Sequence, residues 1–196
     1  MMRERKNSKV KRKDEILEVA AKIFAAKSYH ETTLQEIAKQ IGVTEPALYY
    51  HINSKNEILR GIVNRIMKHL EEVTKVGEED LTPQNKLEKI LFMLVEFSAK
   101  HKETTLIAFE QHKILPQKNL KALERRQRDV ERVLRQTLEE GIKQGDFTIE
   151  DVPLASFSIL AMSNWIYRWY RPNGRLNIKQ IADILMNFTM HGICNK

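Results

Sequence analysis

Apolar side chains recur every three or four residues through most of this chain, the spacing of helices that bury one face. Ile16, Ala20 and Ile23, flanked by Leu17, Ala21 and Phe24, predict a first helix over residues 11–27. Leu34, Ile37, Ala38 and Ile41 predict a short second helix, and a third carries Tyr49, Tyr50 and His51 in a row. With Val43, Leu48 and Ile52 these faces make a small three-helix core, too small to be stable without the helix that follows. Ile58, Ile62, Ile66 and Leu70 continue the pattern to residue 76. Five more helices follow over residues 83–100, 104–114, 119–144, 152–170 and 177–191. No segment alternates as a strand would, so the fold class is all-α.

Punctuation agrees with the pattern. Thr33 with Glu36, Ser54 with Glu57, and Asn177 with Gln180 have the spacing of capping boxes. Gly42 suits the left-handed residue that ends a helix, Thr44 can cap the next one, and Pro46 fits its first turn. Thr82 and Pro83 restart the chain after GEEDLTPQN, and Gly141 and Gly145 read as helix-end signals.

Helix, glycine turn, short helix is the layout that sets a second helix in the major groove of DNA. The run IGVTEPALYYHINSKNEIL closely resembles the helix-turn-helix of the tetracycline-repressor (TetR) family. Gly42, Val43, Thr44, Leu48, Tyr49, His51, Ser54 and Lys55 match that family's pattern in register. Ile52 and Ile58 depart from the usual phenylalanine and leucine, changes that repack the core without moving the reading helix. The resemblance implies an N-terminal basic arm and three-helix DNA-binding domain (residues 1–53). A larger helical ligand-binding and dimerisation domain (54–196) would follow, sharing the fourth helix. It places reading positions at Glu45, Pro46, Ala47, Tyr49, Tyr50 and His51, and a phosphate-binding lysine at Lys55. By side-chain chemistry, Thr33, Thr44, Tyr50 and Lys55 suit phosphate oxygens, whereas Glu45, Ala47, Tyr49 and His51 suit base edges. Glu45 can accept from a cytosine amine, or simply favour the positive end of its helix.

The charge distribution supports a nucleic-acid partner. The net charge is +7, yet residues 1–13 hold seven basic side chains (Arg3, Arg5, Lys6, Lys9, Lys11, Arg12 and Lys13) against Glu4. Nearly all the excess therefore sits in one N-terminal arm, expected to be disordered when free and to lie along phosphates or a minor groove. Cys194 is the only cysteine, so no intramolecular disulfide forms and a reducing, cytoplasmic setting is expected. No signal peptide or membrane-length apolar run is present, so no membrane partner is expected.

The segment at 152–170 is apolar around most of its circumference and must be covered on more than one side. With Ile178, Ile181, Ile184, Leu185 and Phe188 of the last helix it matches the four-helix homodimer interface that the family resemblance implies. A twofold dimer presents two reading helices about one DNA turn apart and demands double-stranded DNA with a near-palindromic operator.

A second resemblance lies in NWIYRWYRPNGRL (residues 164–176). It looks like the C-terminal signature of TetR-type regulators of fatty-acid and sterol catabolism, which implies an acyl-CoA inducer. Trp165 and Trp169 could stack on a flat ring, and Arg168, Arg171 and Arg175 could pair with phosphates. Phe92, Phe97, Phe109, Met93 and Met162 are candidates to line the pocket, although such residues also fill ordinary cores. Cationic or aromatic drugs, or no ligand at all, remain the alternatives. A cavity of several hundred Å³ separates a ligand-responsive protein from a ligand-independent one. Catalytic motifs and metal-ligand spacings are absent, so neither an enzyme nor a cofactor is expected beyond a small-molecule effector.

Overall fold

The computed structural model describes residues 2–111 and 114–193, with side chains from Arg12 onward. Cys194 and the basic side chains of residues 3–11 lie outside the described residues. Among the described residues the chain forms helices and no strand: α1 (Met2–Ala26), α2 (Leu34–Ile41), α3 (Glu45–Tyr49), α4 (Lys55–Lys75), α5 (Pro83–Lys100), α6 (Lys102–Phe109), α7 (Gln117–Gln144), α8 (Val152–Asn164), α9 (Ile166–Trp169) and α10 (Ile178–Ile193). A 3-10 turn, Val76–Glu78, extends α4. No helix among the described residues is long and apolar enough to cross a membrane.

The first three helices enclose Ile16, Ala20, Phe24, Ile37, Leu48 and Ile52, all almost fully buried. This small core continues without a gap into Ile58, Leu59 and Ile62 of α4, as its size requires. Gly61 lets α4 approach α1 closely, since a Cβ there would sit 2.6 Å from a Leu17 methyl carbon. The C-terminal helices pack α4, α5, α7 and α8 around Leu70, Leu87, Leu91, Leu94, Leu134, Leu138 and Ile159. Lys86, 8% exposed, donates to Glu140 at 3.1 Å and ties α5 to α7.

Four expectations need correction. The N-terminal arm is helical along its backbone from Met2, because residues 1–26 contain neither proline nor glycine and many good helix formers. The sixth helix is shorter than its apolar pattern, ending at Phe109. The apolar stretch after residue 152 is broken at Trp165 into α8 and α9. Gly141 is interior to α7 and not an end signal: a Cβ there would fall 2.1 Å from the ring of buried Phe147, so glycine admits that ring. Gly145, at φ 82°, does end the helix.

Much of the α8 surface remains outward on one chain, with Leu154 64%, Phe157 53% and Phe188 of α10 69% exposed. The buried stripe of α8 instead uses small residues. Ser156 and Ser163 close their hydroxyls onto the carbonyls of Pro153 and Ile159 at 2.8 Å each.

A DNA-reading face and an apolar cavity

Local chemistry fixes the reading face. Thr33 Oγ1 accepts the Glu36 N–H at 3.1 Å while Glu36 accepts the Thr33 N–H, a reciprocal cap that starts α2. Gly42 adopts φ 77°, and the next amide, Val43, donates to Ala38 O at 3.0 Å, closing the helix end. Thr44 then caps α3 through the Ala47 N–H. Leu48 and Ile52 plug into the core, which turns Thr44, Pro46, Ala47, Tyr49 and Tyr50 outward. Tyr49 is 46% and Tyr50 74% exposed. Thr33 is exposed at the start of α2, and Glu45 and His51 are half-buried. The face is shorter than its sequence suggests, because α3 ends at Tyr49 and Tyr50 and His51 form its exit turn. The His51 ring meets Tyr50 edge-on at 5.2 Å, and its Nδ1 is buried without a partner among the described residues.

The exit is braced by Glu57. Ser54 caps α4 by accepting the Glu57 N–H at 3.1 Å, but Glu57 does not return the bond to Ser54. Its carboxylate accepts the Asn53 N–H at 2.9 Å and the Lys13 ammonium at 3.0 Å. The Asn53 amide first and Lys13 second hold that carboxyl below the usual carboxylate range. Lys55, expected to face phosphate, donates instead to the carbonyls of His30 (3.1 Å) and Thr32 (2.8 Å). Its ammonium also lies 4.6 Å from the Tyr29 ring centroid. It fastens the α1–α2 loop, and two of its three N–H donors are engaged there.

Behind this face lies a cavity of about 550 Å³. Its apolar walls are Ile66 and Leu70 of α4, Leu94 and Phe97 of α5, Ala108 and Phe109 of α6, Val130 of α7 and Leu160 of α8. Trp165 and Tyr167 close one end, and Glu124, Gln127, Arg128 and Glu131 of α7 contribute polar groups. Glu131 is paired with Arg135. His69 lies flat on Phe97, ring centroids 4.1 Å apart, and burial pushes its pKa down to about 4, with nearby His101 acting in the same direction. The imidazole is therefore neutral at physiological pH.

Of the expected pocket residues, Phe97, Phe109 and Trp165 line this cavity. Phe92 faces a separate cleft with Ala182 and Met186 of α10. Met162 packs against the core, and Trp169 and Arg175 are exposed away from the cavity. Arg168 is engaged with Glu110 at 2.8 Å, which also accepts the Tyr167 hydroxyl at 2.5 Å. The break at Trp165 bears on Trp169 alone, which lies beyond it and does not reach the cavity that Trp165 lines, whereas Arg168 stays over the Trp165 ring at 5.3 Å. The sequence reading missed His69 and Arg128. His69 sits on the apolar stripe of α4, a signal that was present; Arg128 has none that separates it from the other arginines of α7.

A helix-turn-helix with exposed tyrosines, joined by a shared helix to a domain with a half-open apolar cavity, defines a ligand-responsive DNA-binding regulator. Residues 16–62 match the family described as bacterial regulatory proteins, tetR family. Residues 80–193 match the tetracyclin repressor-like C-terminal domain. The chain belongs to the TetR family of transcriptional regulators, which bind operator DNA as dimers. It is 28% identical over 191 residues to the HTH-type transcriptional repressor KstR2 of Rhodococcus jostii (strain RHA1), covering 94% of this chain and 92% of that one. The structure of the ketosteroid transcriptional regulator KstR2 of Mycobacterium tuberculosis is similar (26% identity, 94% and 96% coverage, TM-score 0.78). So is that of AibR in complex with isovaleryl coenzyme A and operator DNA (29% identity, 90% and 97% coverage, TM-score 0.72).

Proposed function

We propose that this protein is a cytoplasmic, homodimeric repressor that leaves a near-palindromic operator when an acyl-CoA thioester enters its C-terminal domain. Residues 1–53 hold DNA and residues 54–196 hold the ligand and the twofold mate. Thr33, Thr44, Tyr50 and the remaining donor of Lys55 take phosphate oxygens; Glu45, Pro46, Ala47, Tyr49 and His51 meet or flank base edges. The observation that carries this reading is the 550 Å³ apolar cavity against the middle of α4, the helix that begins at the reading face. That volume lies within the range of small-molecule sites and disfavours a ligand-independent DNA-binding protein. A cationic drug is also disfavoured, because the half-buried carboxylate in the wall, Glu131, is already neutralised by Arg135. AibR, with its bound isovaleryl coenzyme A, supports a thioester. Phe97, Phe109 and Trp165 would contact the acyl group.

The test is a mobility-shift titration of the operator complex with CoA thioesters from isovaleryl to dodecanoyl. Release by at least one thioester, at concentrations where free CoA does nothing, is the expected result. Retention of the operator by saturating thioesters of every length defeats the inducer assignment.

A further inference from the structure

We infer that the effector carries an oxygen, as carbonyl or hydroxyl, on its apolar part, and that Ser98 recognises it with help from Asn164. This rests on the cavity being an effector site, but not on the effector being a thioester. Ser98 is 1% exposed and lines the cavity from α5. Most buried hydroxyls elsewhere in these helices close onto their own backbone; Thr104 does not among the described residues, but it lies outside the cavity wall. Thr105 donates to His101 O, Thr137 to Val133 O, Ser163 to Ile159 O and Thr189 to Leu185 O. The Ser98 hydroxyl makes no such bond among the described residues. Asn164, at the end of α8 where the helix breaks, reaches the same cavity with its carboxamide likewise unengaged.

Most other polar groups of the wall are occupied or exposed; the exception is His69, whose Nε2 is buried without a partner among the described residues and can share the oxygen with Ser98. Thr105 is bonded to His101 O, Tyr167 to Glu110 and Glu131 to Arg135. Glu124 and Arg128 are exposed at the rim, where water serves them. A buried hydroxyl facing an apolar space is destabilising when the occupant is pure hydrocarbon and satisfied when the occupant brings an oxygen. The wall therefore discriminates between two molecules of one shape that differ in a single oxygen.

Acetophenone and ethylbenzene form such a pair, are uncharged and fit the volume. Binding is read by quenching of Trp165, which lines the cavity, with Trp165→Phe identifying its share of the signal. The wild-type protein is expected to bind acetophenone about fivefold or more tighter than ethylbenzene. Ser98→Ala should remove most of that preference while leaving ethylbenzene binding equal or tighter. Asn164→Leu reports the smaller contribution of the carboxamide. Equal affinity for the two probes in the wild type overturns the inference. So does a preference that survives Ser98→Ala, or failure of either probe to bind. A ketone preference lost in Ser98→Ala, together with no operator release by any thioester, keeps the inference and refutes the acyl-CoA reading alone.

Discussion

Replacing Lys55 by methionine keeps the aliphatic stem against Tyr29 and deletes the ammonium. The Thr32 carbonyl then loses its 2.8 Å donor, and Thr32 is only 1% exposed. Leaving such a carbonyl unpaired costs about 1–3 kcal/mol. The His30 carbonyl belongs to an exposed residue and recovers water, so it adds little. The ammonium–tyrosine contact contributes roughly 0.5–1 kcal/mol more. A loss of about 2 kcal/mol corresponds to a fall of roughly 4–8 °C in Tm for a chain of this size. The comparison must be made at one protein concentration, because dimerisation itself raises Tm. The third N–H of Lys55 remains for phosphate, so the slope of log affinity against log salt should also fall, by about 0.9 per protomer. The two readouts separate the roles. An unchanged Tm refutes the anchoring of the loop, and an unchanged slope removes Lys55 from the phosphate contacts.

Two further outcomes are expected. His69 has a pKa of about 4 in the fold against 6.5 as a free side chain. The unfolded chain therefore takes up the proton first, and stability is full above about pH 6.5 and lost as pH falls toward 4, by about 2 kcal/mol at pH 5. His69→Phe should flatten the decline in Tm between pH 7 and 5, and parallel curves for the two proteins would exclude His69 as its source. Phe188, 69% exposed on α10 beside the outward side of α8, is the reporter for the twofold interface. Phe188→Asp should shift sedimentation from dimer toward monomer with little change in helix content, whereas an undisturbed dimer would move the interface elsewhere.

Helix capping, the glycine turn and the apolar stripes were legible because each is settled within four or five residues. Thr33 with Glu36 and Asn177 with Gln180 form the reciprocal bonds their spacing predicts. The exposure of Tyr49 and Tyr50 also follows from local pattern, since Leu48 and Ile52 must point inward. Long-range partners were not legible. Nothing near Lys55 announces the carbonyls 23 and 25 residues earlier that hold it. Ser54 with Glu57 has the spacing of a reciprocal cap, yet Asn53 and Lys13 compete successfully for the carboxylate. Gly141 looked like punctuation because the ring that fills its place arrives from beyond the end of α7. The pocket assignments scattered for a related reason. An unbroken helical wheel puts Trp165, Trp169 and Arg168 together; across the break at residue 165 Arg168 stays over the Trp165 ring at 5.3 Å, but Trp169 does not reach the cavity.

Under the proposed function, effector control follows from what the cavity shares with the reading domain. Helix α4 contributes Ile66, His69 and Leu70 to the wall, and its first turn is the corner where Ser54, Lys55 and Glu57 brace the reader. Those points are about eleven residues apart, roughly 16 Å along the axis. A tilt of about 5° at the wall thus moves the reader by more than 1 Å, enough to strain hydrogen bonds whose useful range is a few tenths of an ångström. A second tie runs through α6, whose Thr105, Ala108 and Phe109 line the cavity, while Gln111 just beyond donates to Ala25 O at the end of α1 at 3.3 Å. A ligand that filled the cavity equally well in both arrangements would shift nothing. Release requires that the tilted arrangement fit the effector better, by about 1–3 kcal/mol in typical cases. A rigid wall on which one hydroxyl tests one oxygen is suited to producing that difference, because a misplaced hydrogen bond is lost over a displacement that apolar contacts tolerate.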